Sequence, residues 1–215
     1  MGFDGKVVVI TGASSGIGME AALSFAGRGA HLVLVARNEK RLQETKKECE
    51  DAGSGKIITL KCDVSDYAQV KKACAKIKKG CGSVDVLVNN AGYGLYGQFR
   101  EAKIEDYENL MQTNYFGTVY FTKELLPLMD RGSHIVNISS MAGKLPLTNY
   151  SGYCASKFAV WGFTESIYHE LLSEGIFVHL ICPSATRTRF FDNESFANHT
   201  HKKHPEKMED PKAVA

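Results

Sequence analysis

The stretch Val7-Val8-Val9-Ile10-Thr11-Gly12-Ala13-Ser14-Ser15-Gly16-Ile17-Gly18 decides the fold. Four consecutive β-branched apolar residues read as a strand buried on both faces. The glycine-rich run reads as a turn, and Met19 to Arg28 as a helix. A strand, a glycine turn and a helix in that order let backbone N–H groups approach a phosphate, with the helix dipole behind them. The spacing Gly12-x3-Gly16-x-Gly18 departs from the G-x-G-x-x-G fingerprint of dinucleotide sites. The alternative is a tight connection that binds nothing. Its position between a first strand and a helix favours a nucleotide.

Working outward, strand-like and helix-like segments alternate. Apolar runs fall at 6–11, 31–36, 56–61, 84–88, 133–138 and 176–182, with helical patterns near 17–28, 39–52, 66–79, 103–129 and 151–173. This alternation predicts an α/β fold, a parallel sheet wound with helices on both sides. The 215 residues suffice for one sizeable core and are short for two, so 1–215 is expected to be a single domain. The net charge of +2 leaves no nucleic-acid footprint. The lysines at 71, 72, 76, 78 and 79 fit a solvated helix face. No apolar run approaches the ~20 residues that span a bilayer, and no signal-peptide pattern is visible. Lys6 stands where a myristoylation motif wants Ser or Thr. The six cysteines (49, 62, 74, 81, 154, 182) form no Cys-x-x-Cys pair and read as core residues of a reducing, cytoplasmic protein, with no metal site. Residues 187–210 turn polar around Phe190, Phe191 and Phe196 and a His199–His204 tract, and are expected to form a flap over the substrate. Asp210-Pro211 reads as an N-cap and first-turn proline of a helix that the sequence leaves unfinished, so an incomplete C-terminus is expected.

The end of the second strand bears on the choice of cofactor. An NAD site places Asp or Glu about 20 residues beyond the glycines to hold the ribose 2′-OH. Here the run is Ala36-Arg37-Asn38. A guanidinium there suits a 2′-phosphate, which favours NADP(H). The alternative is that Arg37 only begins a solvated helix, as Lys40 and Arg41 are expected to do. Further on, Tyr153 and Lys157 stand four apart on a predicted helix, which puts both on one face. A nearby ammonium favours the phenolate and is expected to lower the tyrosine pKa from its usual value near 10. Ser140 ends a strand-like run, where ligands of parallel sheets bind, and can donate to a carbonyl or alkoxide oxygen.

Taken together, these residues resemble the short-chain dehydrogenase/reductase family, in its compact single-domain branch. Thr11 to Gly18 resembles its cofactor turn, Asn89-Asn90-Ala91-Gly92 its Asn-Asn-Ala-Gly motif, and Asn114 in Thr113-Asn114-Tyr115-Phe116-Gly117 its helix asparagine. Ser140, Tyr153 and Lys157 match its serine, tyrosine and lysine. The resemblance covers about 3 to 190 and implies a Rossmann-like doubly wound sheet. It implies a catalytic set of Asn114, Ser140, Tyr153 and Lys157: Tyr153 protonates the carbonyl oxygen, Ser140 polarises it, Lys157 lowers the tyrosine pKa, and Asn114 holds a relay water. It implies cofactor contacts from Gly12, Ser14, Ser15, Gly16, Ile17, Gly18, Arg37, Asn38, Asp63 and Val64. Asn90, Ala91, Gly92, Tyr153, Lys157, Pro183, Thr186 and Thr188 complete that set. Asp63 matches the residue at the adenine ring. Two departures stand out. Ser184 replaces a glycine usual after the sixth strand, and the family's last helix and seventh strand lie beyond this sequence, which would leave the sixth strand as an apolar edge.

Tyr93, Leu95, Tyr96, Phe99, Leu145, Leu147, Phe190 and Phe191 fall where the family builds its substrate pocket, unless they pack in the core or an interface. They suggest an apolar ketone or aldehyde, or the corresponding alcohol, as the small-molecule partner. The expected activity is NADPH-dependent carbonyl reduction or its reverse. A 3-oxoacyl-carrier-protein reductase and a non-catalytic NADP(H)-binding protein are the alternatives. The resemblance also implies a homo-oligomer, a dimer or tetramer; neither nucleic acid nor membrane is expected as a partner.

Overall fold

The opening run forms β1 (Val7–Thr11), buried along its whole length. The sheet continues with β2 (His31–Ala36), β3 (Ile57–Lys61), β4 (Val86–Asn89), β5 (His134–Ile138) and β6 (Phe177–Ile181). These come from a computed structural model that describes residues 2–188, Phe190 and 208–215. The remainder of the expected flap, including Phe191, Phe196 and the His199–His204 tract, lies outside the described residues.

All strand pairs are parallel, in the order β3-β2-β1-β4-β5-β6. The chain therefore winds outward in one direction from β1 to β3, then crosses back to β4 beside β1. The crevice at that reversal is where open α/β sheets bind ligands. Helices α1 (Gly16–Ala26) and α2 (Glu39–Asp51) cover one face; α3 (Tyr67–Cys81), α5 (Gly117–Leu125) and α6 (Ser151–Leu171) cover the other. Strand alternation divides the core accordingly. Val8, Ile10, Leu32 and Leu34 meet Ala22, Ala26 and Leu42, while Val9, Val33 and Ile135 meet Ile77, Phe121 and Leu125. Full burial of each such side chain contributes about 1.5–3 kcal/mol.

Helix ends follow their sequence signals. Asn38 caps α2 by accepting from Arg41 N at 3.0 Å, and Asp66 caps α3 by accepting from Ala68 N and Gln69 N at 2.9 and 3.1 Å. Gly82, at φ 79°, ends α3. The lysines of α3 are exposed, as their spacing predicted. All six cysteines are free, and burial pushes the Cys49 and Cys74 thiols up to about 12. Among the described residues no helix is long and apolar enough to cross a membrane.

The single helix expected over 103–129 is instead four successive segments. Helix α4 (Ile104–Met111) runs into a π-helical turn, Gln112–Phe116, before α5 and a short 3-10 turn, Leu126–Leu128. A π turn adds a residue to the helical repeat and is frequent at functional sites; this one carries Asn114. At the other edge, β6 pairs only with β5 among the described residues, leaving Phe177 44% and Ile181 37% exposed. Asp210 caps α7 (Pro211–Val214) by accepting from Lys212 N at 2.9 Å.

Candidate active site

Gly12, Gly16 and Gly18 shape one end of the site by what they lack. Gly12 and Gly16 have φ of 68° and 56°, in the region glycine enters without strain. A Cβ on Gly12 would lie 2.8 Å from Asn90 Nδ2, and one on Gly18 would lie 2.5 Å from the Gly12 carbonyl oxygen and press on Asn90 Nδ2. The turn is thus folded tightly against the end of β4. Thr11 locks this arrangement: its Oγ1 accepts from Asn90 N and Ala91 N at 3.0 and 3.1 Å, and Asn90 Nδ2 donates to Thr11 O at 3.0 Å. Ser15, at the N-cap of α1, makes no side-chain cap bond, so the first-turn N–H groups keep their capacity for an anion.

A cleft of about 740 Å³ runs from this turn across the carboxyl ends of the strands. Every expected cofactor residue except Gly18 lines it: Gly12, Ser14, Ser15, Gly16, Ile17, Arg37, Asn38, Asp63, Val64, Asn90, Ala91, Gly92, Tyr153, Lys157, Pro183, Thr186 and Thr188. Gly18 sits behind the turn, where it allows close packing. Thr188 closes on the turn from above, its Cγ2 2.9 Å from where a Gly16 Cβ would be. Thr186 is buried and bridges to Glu209, so the chain on either side of the undescribed stretch is pinned together. Ser184 also lines the cleft.

At the ribose end, two findings differ from the sequence reading. The run Ala36-Arg37-Asn38 carries no carboxylate, but β3 delivers one from the neighbouring strand: Asp63 Oδ2 lies 3.7 Å from Arg37 Nη1. Asp63 Oδ1 is already held by Ser65 N and Oγ at 3.0 and 2.7 Å. Second, Arg41, read as part of a solvated helix face, lines the cleft beside Arg37. Arg41 sits in the first turn of α2, whereas Arg37 precedes its N-cap, so helical spacing does not link the two.

At the other end stand three of the four expected catalytic side chains, Ser140, Tyr153 and Lys157. Tyr153 and Lys157 project from α6 and are 8% and 5% exposed. Ser140 ends the segment after β5 and caps a 3-10 turn, Met141–Gly143, accepting from Ala142 N at 3.1 Å. The strand end is fastened to α6 at successive residues. Asn137 Nδ2 donates to Thr164 Oγ1 at 3.0 Å, Lys157 Nζ to Ile138 O at 2.8 Å, and Ser139 Oγ to Lys157 O at 2.9 Å.

The expected lowering of the Tyr153 pKa is not what this arrangement produces. Burial pushes the phenol up to about 12, opposed by a hydrogen bond from the Ser140 hydroxyl. Burial also pushes Lys157 down to about 8. The physical reason is that Nζ is turned to the Ile138 carbonyl and lies 5.9 Å from the Tyr153 ring centroid, while water is excluded from both groups. At neutral pH the pair is therefore a neutral phenol and an ammonium.

Asn114 does not line the cleft. It is buried one layer behind, where its carboxamide is engaged on three sides. Oδ1 accepts from Tyr93 N at 3.0 Å, and Nδ2 donates to Tyr93 O and Ser156 Oγ, both at 2.9 Å. It thereby joins the loop after β4 to α6. Oδ1 lies 3.0 Å and Lys157 Nζ 3.5 Å from where a Gly92 Cβ would be, so any side chain there would crowd the pair.

Of the expected substrate residues, Tyr93, Leu147 and Phe190 line the cleft, with Met141, Ala142 and Tyr150 as additions the sequence reading missed. Leu95 packs in the cluster around Tyr153, and Tyr96 stacks edge-on against Tyr150 at 5.1 Å. Phe99 (75% exposed) and Leu145 lie outside the cleft wall; Phe99 packs against Tyr107 instead. Among the described residues, the wall near Tyr153 carries no charged side chain other than Lys157. Among the described residues no group of three or more His, Cys, Asp or Glu could hold a metal ion.

The chain is similar to known proteins over most of its length. The family described as short chain dehydrogenase matches residues 6–198. Dehydrogenase/reductase SDR family member 7B of Danio rerio is 42% identical over 195 residues, covering 87% of this chain and 63% of that protein. The 3-ketodihydrosphingosine reductase of Bos taurus is 38% identical over 197 residues, covering 89% and 59%. This chain thus spans about three fifths of the length of these curated relatives. A short chain dehydrogenase/reductase from Burkholderia phymatum, solved in complex with NAD, superposes with a TM-score of 0.86 at 33% identity, over 96% of this chain and 75% of that one.

Proposed function

We propose, from the premise that this chain belongs to the short-chain dehydrogenase family, that it reduces an apolar ketone or aldehyde with NADPH, or runs the reverse oxidation. One observation carries the reading: Ser140, Tyr153 and Lys157 meet at one end of a cleft whose other end is a glycine turn at a helix N-terminus. The turn suits a pyrophosphate, because positive-φ glycines and first-turn N–H groups face it. Arg37 and Arg41 would take a 2′-phosphate. The Arg37–Asp63 contact is a long, largely exposed ion pair of little worth, so it offers slight resistance to such a dianion. The apolar wall of Tyr93, Met141, Leu147, Tyr150 and Phe190 supports an apolar substrate, and the name of the Bos taurus relative is that of a keto-group reductase.

The chemistry that a nicotinamide cofactor would supply, held between the glycine turn and Lys157, is hydride donation to a carbonyl carbon. The rest falls to the chain. As the oxygen gains negative charge, Ser140 donates a hydrogen bond to it. Tyr153 hands it a proton from Oη, acting as general acid. Its high pKa is no obstacle, because an alkoxide is a far stronger base than a phenolate. Lys157, charged below its pKa of about 8, holds its ammonium 5.9 Å from the Tyr153 ring and there opposes the negative charge left on the phenolate in a water-poor setting. Asn114, through Tyr93 and Ser156, keeps the loop after β4 and α6 in register.

The test is cofactor oxidation followed by absorbance across apolar ketones, aldehydes and acyl thioesters, with NADPH and NADH side by side. Turnover of apolar ketones with NADPH preferred is expected. Preference for NADH overturns the role given to the arginines, and response to acyl thioesters alone moves the assignment to a 3-oxoacyl reductase.

A further inference from the structure

Asn149 is the single non-glycine described residue with positive φ, at 65°. Asparagine tolerates that conformation better than most residues, but it is still strained, and such strain persists only where neighbours enforce it. Here it forms the third position of a turn from Leu147 to Tyr150, closed by Tyr150 N donating to Leu147 O at 3.2 Å. Gly or Asn is favoured at that position of a type II turn. The residues closing this turn, Leu147 and Tyr150, both line the cleft.

Asn149 also reaches across to the opposite wall. Its carbonyl accepts from Gly97 N at 2.9 Å, and its Nδ2 donates to Tyr96 Oη at 3.3 Å. The Tyr96 ring in turn packs edge-on against Tyr150 at 5.1 Å. The opposite loop is anchored from beneath by Asn114, which holds both backbone groups of Tyr93. One wall is therefore fixed through Asn114 and the other is tied to it through Asn149. The tie sits four residues before Tyr153 in the chain, at the start of its helix.

We propose that Asn149 is a positioning residue that sets the width of the substrate mouth, and with it the size of carbonyl substrate admitted. This rests on the reading that the Tyr153 end of the cleft takes a carbonyl substrate. With the backbone strained and both cross-loop bonds present, the two walls hold one separation. Without them, Leu147 and Tyr150 lose their fixed distance from Tyr93.

The experiment compares wild type, Asn149→Gly, Asn149→Ala and Tyr96→Phe on a series of apolar ketones of increasing bulk, reading kcat and KM separately. Amide exchange at Gly97 is followed in the same proteins. Asn149→Ala opposes the left-handed backbone and removes the side-chain bond. It should change the ratio of kcat/KM between bulky and small ketones by roughly tenfold, since ångström-scale displacements carry effects of that order or more. The change should appear mainly in KM, with faster exchange at Gly97. Asn149→Gly keeps the backbone, and Tyr96→Phe removes the hydroxyl that accepts from Asn149; each should give a smaller change of the same sign. A ratio unchanged in folded Asn149→Ala overturns the inference, as does a loss of kcat equal for all substrates. Should Asn149→Ala not fold, an unchanged ratio in both milder variants overturns it. A wild-type chain silent toward the whole series overturns the functional reading, and the inference with it.

Discussion

Replacing Lys157 by Met should make the protein more stable at neutral pH while removing its chemistry. Lys157 is held almost fully out of water, and burial depresses its pKa from 10.5 to about 8. At about 1.4 kcal/mol per pH unit, that depression means about 3 kcal/mol spent keeping the ammonium charged at pH 7. Met retains most of the stem and fills much of the space. The substitution strips Ile138 O of its 2.8 Å donor, a loss of about 1 kcal/mol. The net gain is about 2 kcal/mol, or roughly 4–8 °C in Tm for a chain of this size. The sign can be checked against pH. A lysine with a depressed folded pKa binds fewer protons folded than unfolded between pH 8 and 10.5, so wild-type stability rises with pH across that window. The advantage of Lys157→Met should therefore be full below pH 8 and gone above 10.5. Thermal unfolding at pH 7 and pH 10, without nucleotide so that ligand linkage does not enter, measures it. A variant less stable than wild type at both pH values would refute the reasoning.

Three further outcomes follow from the same geometry. Because Lys157 must carry its charge, kcat/KM for reduction should be flat from pH 6 to 7 and fall above about pH 8; a rate that rises through pH 9 contradicts this. Gly18→Ala should weaken NADPH binding at least tenfold, since its Cβ would meet the Gly12 carbonyl at 2.5 Å and displace the turn; titration with nucleotide measures it, and unchanged affinity counts against the turn as the phosphate site. Asn137→Ala should lower stability by about 1–3 kcal/mol in denaturant unfolding, because Asn89 Nδ2 and Thr164 Oγ1 each lose a buried partner; a change under ~0.5 kcal/mol shows that those groups find others.

The strands were legible because burial on both sheet faces leaves unbroken Val, Ile and Leu runs, as in β1 and β2. The edges of β4 were not. Val84, read as its first residue, gives its N–H to Leu128 O instead of to a neighbouring strand. Asn89, read as part of a turn, stays in the ladder opposite Asn137 and donates sideways to Thr122 and Asn137. The π turn at Gln112–Phe116 left no trace, since hydrophobic spacing runs on through it. Among site residues, spacing placed Tyr153 and Lys157 on one face of α6, but it carries no information on where Nζ points. The Ile138 carbonyl that holds it and the burial that sets both pKa values are tertiary facts. Arg41 was not legible, because a basic residue in the first turn of a helix suits a solvated face equally well. The left-handed backbone of Asn149 suits its local turn, but its contacts with Tyr96 and Gly97, some fifty positions away, are tertiary facts that no local pattern encodes.

Tyr153→Phe tests the central claim most directly, with NADPH binding and ketone turnover measured on the same preparation. The account predicts nucleotide affinity within a few-fold of wild type and turnover reduced by about 10²–10⁴, since only the donated proton is removed. Turnover that survives at the wild-type rate would contradict it.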